Sequence, residues 1–218
     1  MSSQDKFTEA ETLELFRVSL ENATQQTEIA SIMSEFGYDQ TKIDEGKSLW
    51  EDTRMKIDEK KTEGDEKSAA YSVFTGKKAE LAVKYRLHRK KAKVAFGNDP
   101  LTLKRLLLTG VMPSTYVKIM ENYRKFYYEL DGDTTLQSKL AVLKVPVEEI
   151  QLGKQLIAEI EAARIQYHRE IGESQDATQH KDAAFGTLDK WMSEFYAVAK
   201  IALEDKPQLL EALGKVVK

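Results

Sequence analysis

Apolar residues return every three or four positions along most of this chain, which is the spacing of a helix with one buried face. Only four prolines and eleven glycines interrupt the chain, too few for the turns of a many-stranded β fold. The pattern therefore predicts an all-α protein. In the clearest run Arg164 is the one charged interruption, and the apolar positions are Ile150, Gly153, Ile157, Ile160, Tyr167 and Ile171.

The pattern occurs twice, at an offset of 107 positions. Ile43 then aligns with Ile150 and Pro100 with Pro207, without a gap between them. Fourteen of the 64 aligned positions from 43 to 106 are identical, and the helices before position 43 keep apolar character at matching positions. Packing tolerates such exchanges between apolar side chains of similar volume. We therefore interpret the chain as two tandem helical repeats, 1–110 and 111–218.

Each repeat is predicted to contain two short helices, two long helices and a short closing helix. Thr8 and Glu11 have the spacing of a capping box at the start of the first helix. Asp99 and Pro100 have the chemistry of an N-cap and a first helical turn, so they predict the start of the first closing helix. Gly110 is expected to end that helix.

The two long helices of each repeat are separated by a polar segment, 58–68 in the first repeat and 169–176 in the second. Such segments have little to bury, so we expect them to be the solvent-exposed tips of antiparallel helix hairpins. Two hairpins with one apolar seam each can bury those seams against each other. The sequence thus predicts a four-helix bundle with pseudo-two-fold symmetry and short accessory helices at one end.

Composition limits the functional classes. The formal net charge of −3 is too small to steer partners globally. The absence of cysteine excludes disulfides, thiolate nucleophiles and cysteine metal sites. No window offers eighteen uncharged apolar residues, and the amino terminus has no apolar run behind a basic start. We expect a cytoplasmic protein that neither is secreted nor spans a membrane.

Catalytic motifs are missing from the sequence. None of the three histidines follows a glutamate at the Glu-x-x-His spacing of di-iron bundles. A phosphate-binding glycine loop, a nucleophile elbow and an HExxH motif are also absent. We therefore expect no enzymatic activity, no metal and no cofactor. His88 lies on the apolar seam of its helix, where a hydrogen-bonded core histidine is the favoured interpretation over a ligand or a proton-transfer group.

Two surfaces remain as candidates for binding. The basic stretch 84–93 could hold phosphates, but the favoured interpretation is a solvated face whose charges pair with acidic residues between 44 and 59 on the preceding helix. The aromatic cluster 116–128 is mostly core by its spacing, which leaves two of its rings as exposed contacts. The candidate binding residues are Lys84, Arg86, Arg89, Lys90, Lys91 and Lys93 of the basic stretch, with Phe126 and Tyr128 of the aromatic cluster.

The carboxyl-terminal segment 191–214, with Trp191 and the run Phe195-Tyr196-Ala197-Val198-Ala199, resembles a group of uncharacterised bacterial all-helical proteins. The segments 87–94 and 98–104 share this resemblance, which extends over most of the chain. It implies a bacterial, cytoplasmic protein. It implies no activity, substrate or site residue.

Three functional hypotheses follow from the sequence. The first is a non-enzymatic interaction or scaffold protein that binds another protein or its own copy through the outside of the helices. The second is nucleic-acid binding through the basic helix 84–93. The third is binding of a small molecule inside the bundle, which requires a sizeable cavity with polar groups in its lining.

Overall fold

A computed structural model describes residues 7–214, and all regular secondary structure in that range is helical. The segments 1–6 and 215–218 lie outside the described residues. The expectation that the amino terminus carries no secretion signal falls on the first of them. The helices are α1 (Glu9–Gln25), α2 (Thr27–Glu35), α3 (Gln40–Ala95), α4 (Pro100–Arg105), α5 (Tyr116–Asp131), α6 (Thr134–Ala141), α7 (Val147–Ala202) and α8 (Leu209–Ala212). The all-α prediction is confirmed.

The local start signals act as the sequence indicates. Thr8 caps α1 and forms the complete capping box with Glu11. Asp99 caps α4, whose first residue is Pro100. The expected end of α4 is wrong, because the helix stops five residues before Gly110.

The two predicted hairpins are wrong, because α3 and α7 are unbroken helices of 56 residues each. The polar segments 58–68 and 169–176 are helical throughout and form no turn. Each segment contains one glycine and no proline. A single glycine costs a helix only about 1 kcal/mol relative to alanine. The remaining residues are mostly polar helix formers, which a solvent-exposed helix accommodates as well as a turn does.

The chain forms two compact units, and the first of them combines both ends of the sequence. It comprises Met1–Gly64 and Glu173–Lys218, which include α1, α2, the first part of α3, the last part of α7 and α8. The second comprises Asp65–Gly172, with the last part of α3, α4, α5, α6 and the first part of α7. Each unit therefore draws helices from both halves of the sequence.

The two units carry opposite net charges. The first contains 14 lysines and arginines against 23 aspartates and glutamates, a formal charge of −9, and is called the acidic unit below. The second contains 19 against 13, a formal charge of +6, and is called the basic unit. The small charge of the whole chain is thus a near-cancellation of two larger charges of opposite sign.

The core of the basic unit confirms the burial predicted from helical spacing. Arg164, the charged interruption of the α7 seam, is half-buried and lies 4.3 Å from the ring centroid of Tyr116, in a cation–π contact. An arginine can therefore occupy this seam position without an acidic partner. The buried seam residues are Ile150, Gly153, Ile157 and Ile160 of α7, with Leu81, Tyr85, His88 and Ala92 of α3.

The acidic unit has a core of its own, in which α1 and α2 pack with parts of the long helices. Trp50 is half-buried and donates its indole N–H to the Leu13 carbonyl at 2.8 Å. The hydroxyl of Thr53, on the same buried side of α3, bonds the Leu49 carbonyl. The long helices bury here Ile43, Gly46 and Thr53 of α3, with Leu188, Met192, Phe195 and Ala199 of α7, again at spacings of three and four along most of each run.

Left-handed backbone occurs directly after several helices. Gly37 follows α2 with φ of +84° and Lys144 follows α6 with φ of +58°. A non-glycine residue in this region costs about 1–2 kcal/mol, because its Cβ crowds the following carbonyl. Lys144 is exposed, so its side chain adds little that offsets this cost.

Lys144→Gly is expected to stabilise the protein by about 0.5–1 kcal/mol. Glycine relieves the crowding of the left-handed backbone, and its greater flexibility in the unfolded chain offsets part of that gain. The hydrogen bond from Lys91 to the carbonyl of residue 144 is a backbone contact and survives the change. The matched reverse change is Gly37→Ala, where a Cβ would meet no atom within 4 Å, so only backbone strain is added. Urea unfolding followed by circular dichroism measures both. A lowered midpoint for Lys144→Gly would contradict the prediction.

Candidate functional site

The basic stretch lies on the part of α3 that belongs to the basic unit, and three of its cations are engaged there. Lys84 forms an ion pair with Glu149 of α7, with 3.2 Å between Nζ and Oε2. Lys91 donates to the Lys144 carbonyl at 3.0 Å. Arg89 donates through Nη2 to the carbonyl oxygens at Leu108 and Gly110, in the loop between α4 and α5. These three residues brace the helix against its neighbours.

The other three cations, Arg86, Lys90 and Lys93, are exposed and form no ion pair with any residue in the range 7–214. The acidic residues between 44 and 59 do not neutralise them, so that interpretation is wrong. Those acids lie on α3 itself, in the acidic unit, at least 25 residues before position 84. The hairpin that would have brought the two segments together does not form.

The basic helix forms one wall of a groove of about 430 Å³ within the basic unit. Arg86, Arg89 and Lys93 follow one side of the helix at spacings of three and four, so their side chains are neighbours. They extend over about 10 Å of the helix axis at 1.5 Å per residue. No acidic residue is among the described residues that line the groove. These are Ala82, Tyr85, Arg86, Arg89, Lys90 and Lys93 of α3, Met112 of the α4–α5 loop and Tyr123 of α5.

Two lining residues carry buried polar atoms. The hydroxyl of Tyr85, a side chain only 2% exposed, and the Nε of Arg89 are both buried, and the side chain of Arg89 interacts with the Tyr85 hydroxyl. Most buried polar atoms in folded proteins have a partner. Burial raises the pKa of Tyr85 to about 12, against the opposing charge of Arg89. Tyr85 is therefore a neutral O–H donor beneath the cationic wall.

Hydrogen bonds and charge hold the remaining walls in place. The bonds from Arg89 fix the loop that carries Met112, which is half-buried. Asn122 of α5 also contacts the Met112 sulfur at 4.0 Å. Tyr123 is buried, and this burial raises its pKa although the charge of Arg86 acts in the opposite direction. The floor of the groove is thus apolar and its rim is cationic.

Of the two aromatic residues predicted to be exposed, one is buried and one is exposed. Phe126 is fully buried, so the expectation that it is an exposed contact is wrong. Its ring packs edge-on against Tyr85, with 5.1 Å between the ring centroids, because α5 buries a wider arc than a single stripe. Tyr128 is 54% exposed, and Lys154 Nζ lies 4.9 Å from its ring centroid.

Tyr128 lines a second depression of the basic unit, of about 480 Å³, whose cations are already paired. Arg105 bonds Glu129 at 2.5 Å and Asp133 at 3.0 Å. Lys125 bonds the same Glu129 at 2.6 Å. Those ion pairs would have to break before the cations could hold an external anion. The groove beside Arg86 and Lys93 requires no such exchange.

His88 is a hydrogen-bonded core residue, as expected. It is 3% exposed, and its Nδ1 lies 3.0 Å from the Tyr127 hydroxyl. Its Nε2 is 3.6 Å from a carboxylate oxygen of Glu149. Burial lowers the pKa of His88 below its ordinary value, while the charge on Glu149 opposes that shift and the charges on Lys91 and Lys84 support it.

This lowered pKa makes the stability of the protein depend on pH. The unfolded chain binds a proton at His88 near pH 6.5, and the folded chain only at lower pH. The free energy of unfolding therefore falls as pH drops below about 6.5, by up to about 1.4 kcal/mol per pH unit. His88→Gln, which keeps a hydrogen-bonding side chain, is expected to remove this component. Urea titrations at pH 5.0 and 7.5 test it, with the exposed His168→Gln as control; equal pH dependence in both variants would contradict it.

Within residues 7–214, no helix combines the length and apolarity needed to cross a bilayer. Comparisons of the chain with protein-family models, with curated proteins and with solved structures find no match. The structure alone therefore describes the class of protein, which is an all-helical protein with a basic groove along a long helix.

Proposed function

We propose that this chain is a non-enzymatic binding protein whose basic unit holds an anionic partner in the groove beside Arg86, Arg89 and Lys93. The observation that supports the proposal is that Arg86 and Lys93 have no acidic partner among the described residues. Exposed lysines and arginines on helical proteins commonly face acids across a helix pair, whereas Arg86 and Lys93 face none in the described structure. Their charges remain available to a ligand.

The charge distribution supports the same function. A formal charge of +6 on the basic unit attracts anions to the surface that carries the groove. The groove is also concave, and its volume lies within the range of about 300–1,000 Å³ found for small-molecule sites. Long-range attraction and local shape therefore favour the same place.

Isothermal titration calorimetry with inorganic tripolyphosphate tests anion binding at about 50 mM salt. Removing two groove charges in Arg86→Gln/Lys93→Gln is expected to weaken the affinity at least tenfold, about 1.4 kcal/mol. The matched control is Lys118→Gln/Lys104→Gln, which removes two exposed charges of the basic unit that do not line the groove. Equal losses in both double variants would contradict the groove as the site.

A protein partner or a second copy is the other candidate. Val83, Leu87 and Val94 are 65%, 51% and 71% exposed on the outer side of α3. Their spacing of four and seven positions places them in one stripe, which favours contact with an apolar helix face. Sedimentation velocity over a wide range of chain concentration tests self-association through this stripe. A monomer at every concentration would remove the second copy as the partner.

Nucleic-acid binding through 84–93 receives less support from the geometry. Single-strand binding uses aromatic rings on which bases stack, but Tyr85 and Tyr123 beside the groove are 2% and 6% exposed. The phosphates alone could contact Arg86, Lys90 and Lys93. Fluorescence anisotropy with a labelled thymidine oligonucleotide distinguishes this case, since binding that disappears in Arg86→Gln/Lys93→Gln would restore the nucleic-acid hypothesis.

We also propose that the chain arose by duplication of a 107-residue unit. The helix ends support this, since Gln40 and Val147 are 107 positions apart, as are Ala95 and Ala202. So does the backbone, because four of the five left-handed positions among the described residues form two pairs at the same offset. These pairs are Gly37 with Lys144 and Leu107 with Gly214.

A further inference from the structure

We propose that the groove of the basic unit is a site for a small organic anion with an apolar body, such as an aryl or alkyl phosphate or carboxylate. The inference rests on the proposed anion binding and adds the class of ligand. Its basis is that one wall supplies cations while the floor supplies apolar side chains.

The charged end of such a ligand fits along α3. Arg86 and Lys93 are exposed and unpaired, and Arg89 lies between them with its guanidinium anchored to two loop carbonyls. A guanidinium held in this way loses little freedom when an anion binds. Charge-assisted hydrogen bonds from arginine to phosphate or carboxylate are among the stronger polar contacts in proteins.

The apolar end fits against Met112, Tyr123 and Ala82. The Met112 side chain is flexible and polarisable, so it adapts to ligand shape and contacts aromatic rings favourably. The Tyr123 ring is buried, and its exposed fraction of 6% is too small to act as a stacking platform for a chain of bases. One compact apolar group therefore suits this floor better than a polymer.

The buried polar groups beneath the wall help to fix the position of Arg89. The hydroxyl of Tyr85 and the side chain of Arg89 interact with each other beneath this wall, and that contact opposes the rise of the Tyr85 pKa. Tyr85 is buried at 2% exposure and is neutral, with its pKa raised to about 12. A phosphate or carboxylate supplies acceptor oxygens and no donor when ionised, which suits the exposed donor groups of Arg86 and Lys93.

Calorimetry with four probes tests the ligand class on the full-length chain. The probes are 1-naphthyl phosphate, 2-naphthoate, tripolyphosphate and uncharged 2-naphthol. Naphthyl phosphate is expected to bind at least tenfold more tightly than naphthol. Met112→Gln removes an apolar contact. It is expected to lower the affinity for naphthyl phosphate at least fivefold and to leave the affinity for tripolyphosphate unchanged. The ratio of naphthyl phosphate to naphthoate then separates phosphate from carboxylate as the preferred anion.

The controls keep the two proposals separate. Lys93→Gln should lower the affinity for both naphthyl phosphate and tripolyphosphate, and Lys118→Gln should lower neither affinity. If Met112→Gln fails to fold, Ala82→Gln tests the same floor from α3. If Met112→Gln or Ala82→Gln weakens the binding of naphthyl phosphate and of tripolyphosphate equally, the proposal that the ligand has an apolar body is overturned. The proposal of anion binding would still stand. No binding by any of the anionic probes would remove both proposals.

Discussion

Replacing Gly153 with alanine is expected to lower the free energy of unfolding by about 1–3 kcal/mol, although alanine is the better helix former by about 1 kcal/mol. The new Cβ would overlap the ring of Tyr127, which is fully buried. That ring cannot easily move, because its hydroxyl is tied to His88 at 3.0 Å. Close packing thus outweighs helix propensity at this position.

The same helix offers a control with the opposite sign. Gly172 also lies inside α7, but a Cβ there would meet no atom within 4 Å. Gly172→Ala is therefore expected to stabilise the protein by about 0.5–1 kcal/mol. Thermal and urea unfolding by circular dichroism compare the two variants. A stable Gly153→Ala variant would mean that Tyr127 repacks, and the tight contact between α5 and α7 would be contradicted.

The second large effect is expected at Phe126. Phe126→Ala should cost about 3–5 kcal/mol, since the side chain is fully buried and its loss leaves a cavity beside Tyr85. Tyr128→Ala, two positions away on the exposed side of α5, should cost less than about 1 kcal/mol. That smaller loss is the cation–π contact with Lys154. Urea midpoints of the two variants provide the test, and similar midpoints would contradict the assigned burial.

Helix type and burial were largely predictable from local pattern. The capping box at Thr8 needs only neighbours three residues apart, and the structure contains it. The burial of Ile150, Ile157 and Ile160 follows from spacing alone, because a helix places every third or fourth residue on the same side. His88 was predictable for the same reason. Its hydrogen-bond partner Tyr127 was not, since that residue is 39 positions away.

The groove was only partly predictable. The basic stretch of α3 was visible as a run of lysines and arginines, and five of the eight lining residues lie within it. Met112 and Tyr123 had no local signal that would place them opposite this helix. Phe126 was misplaced because a single stripe underestimates burial when a helix packs on more than one neighbour.

The sequence by itself determined that the chain is helical, where α1 and α4 begin and which faces are apolar, because these properties depend on residues within a turn or two of each other. Only the tertiary structure decided that 58–68 and 169–176 continue as helix, since a polar segment is equally compatible with an exposed helix and an exposed turn. That outcome places the acids between 44 and 59 and the basic stretch 84–93 in different compact units. It leaves Arg86 and Lys93 without acidic partners in the described structure, and no local pattern contains that information.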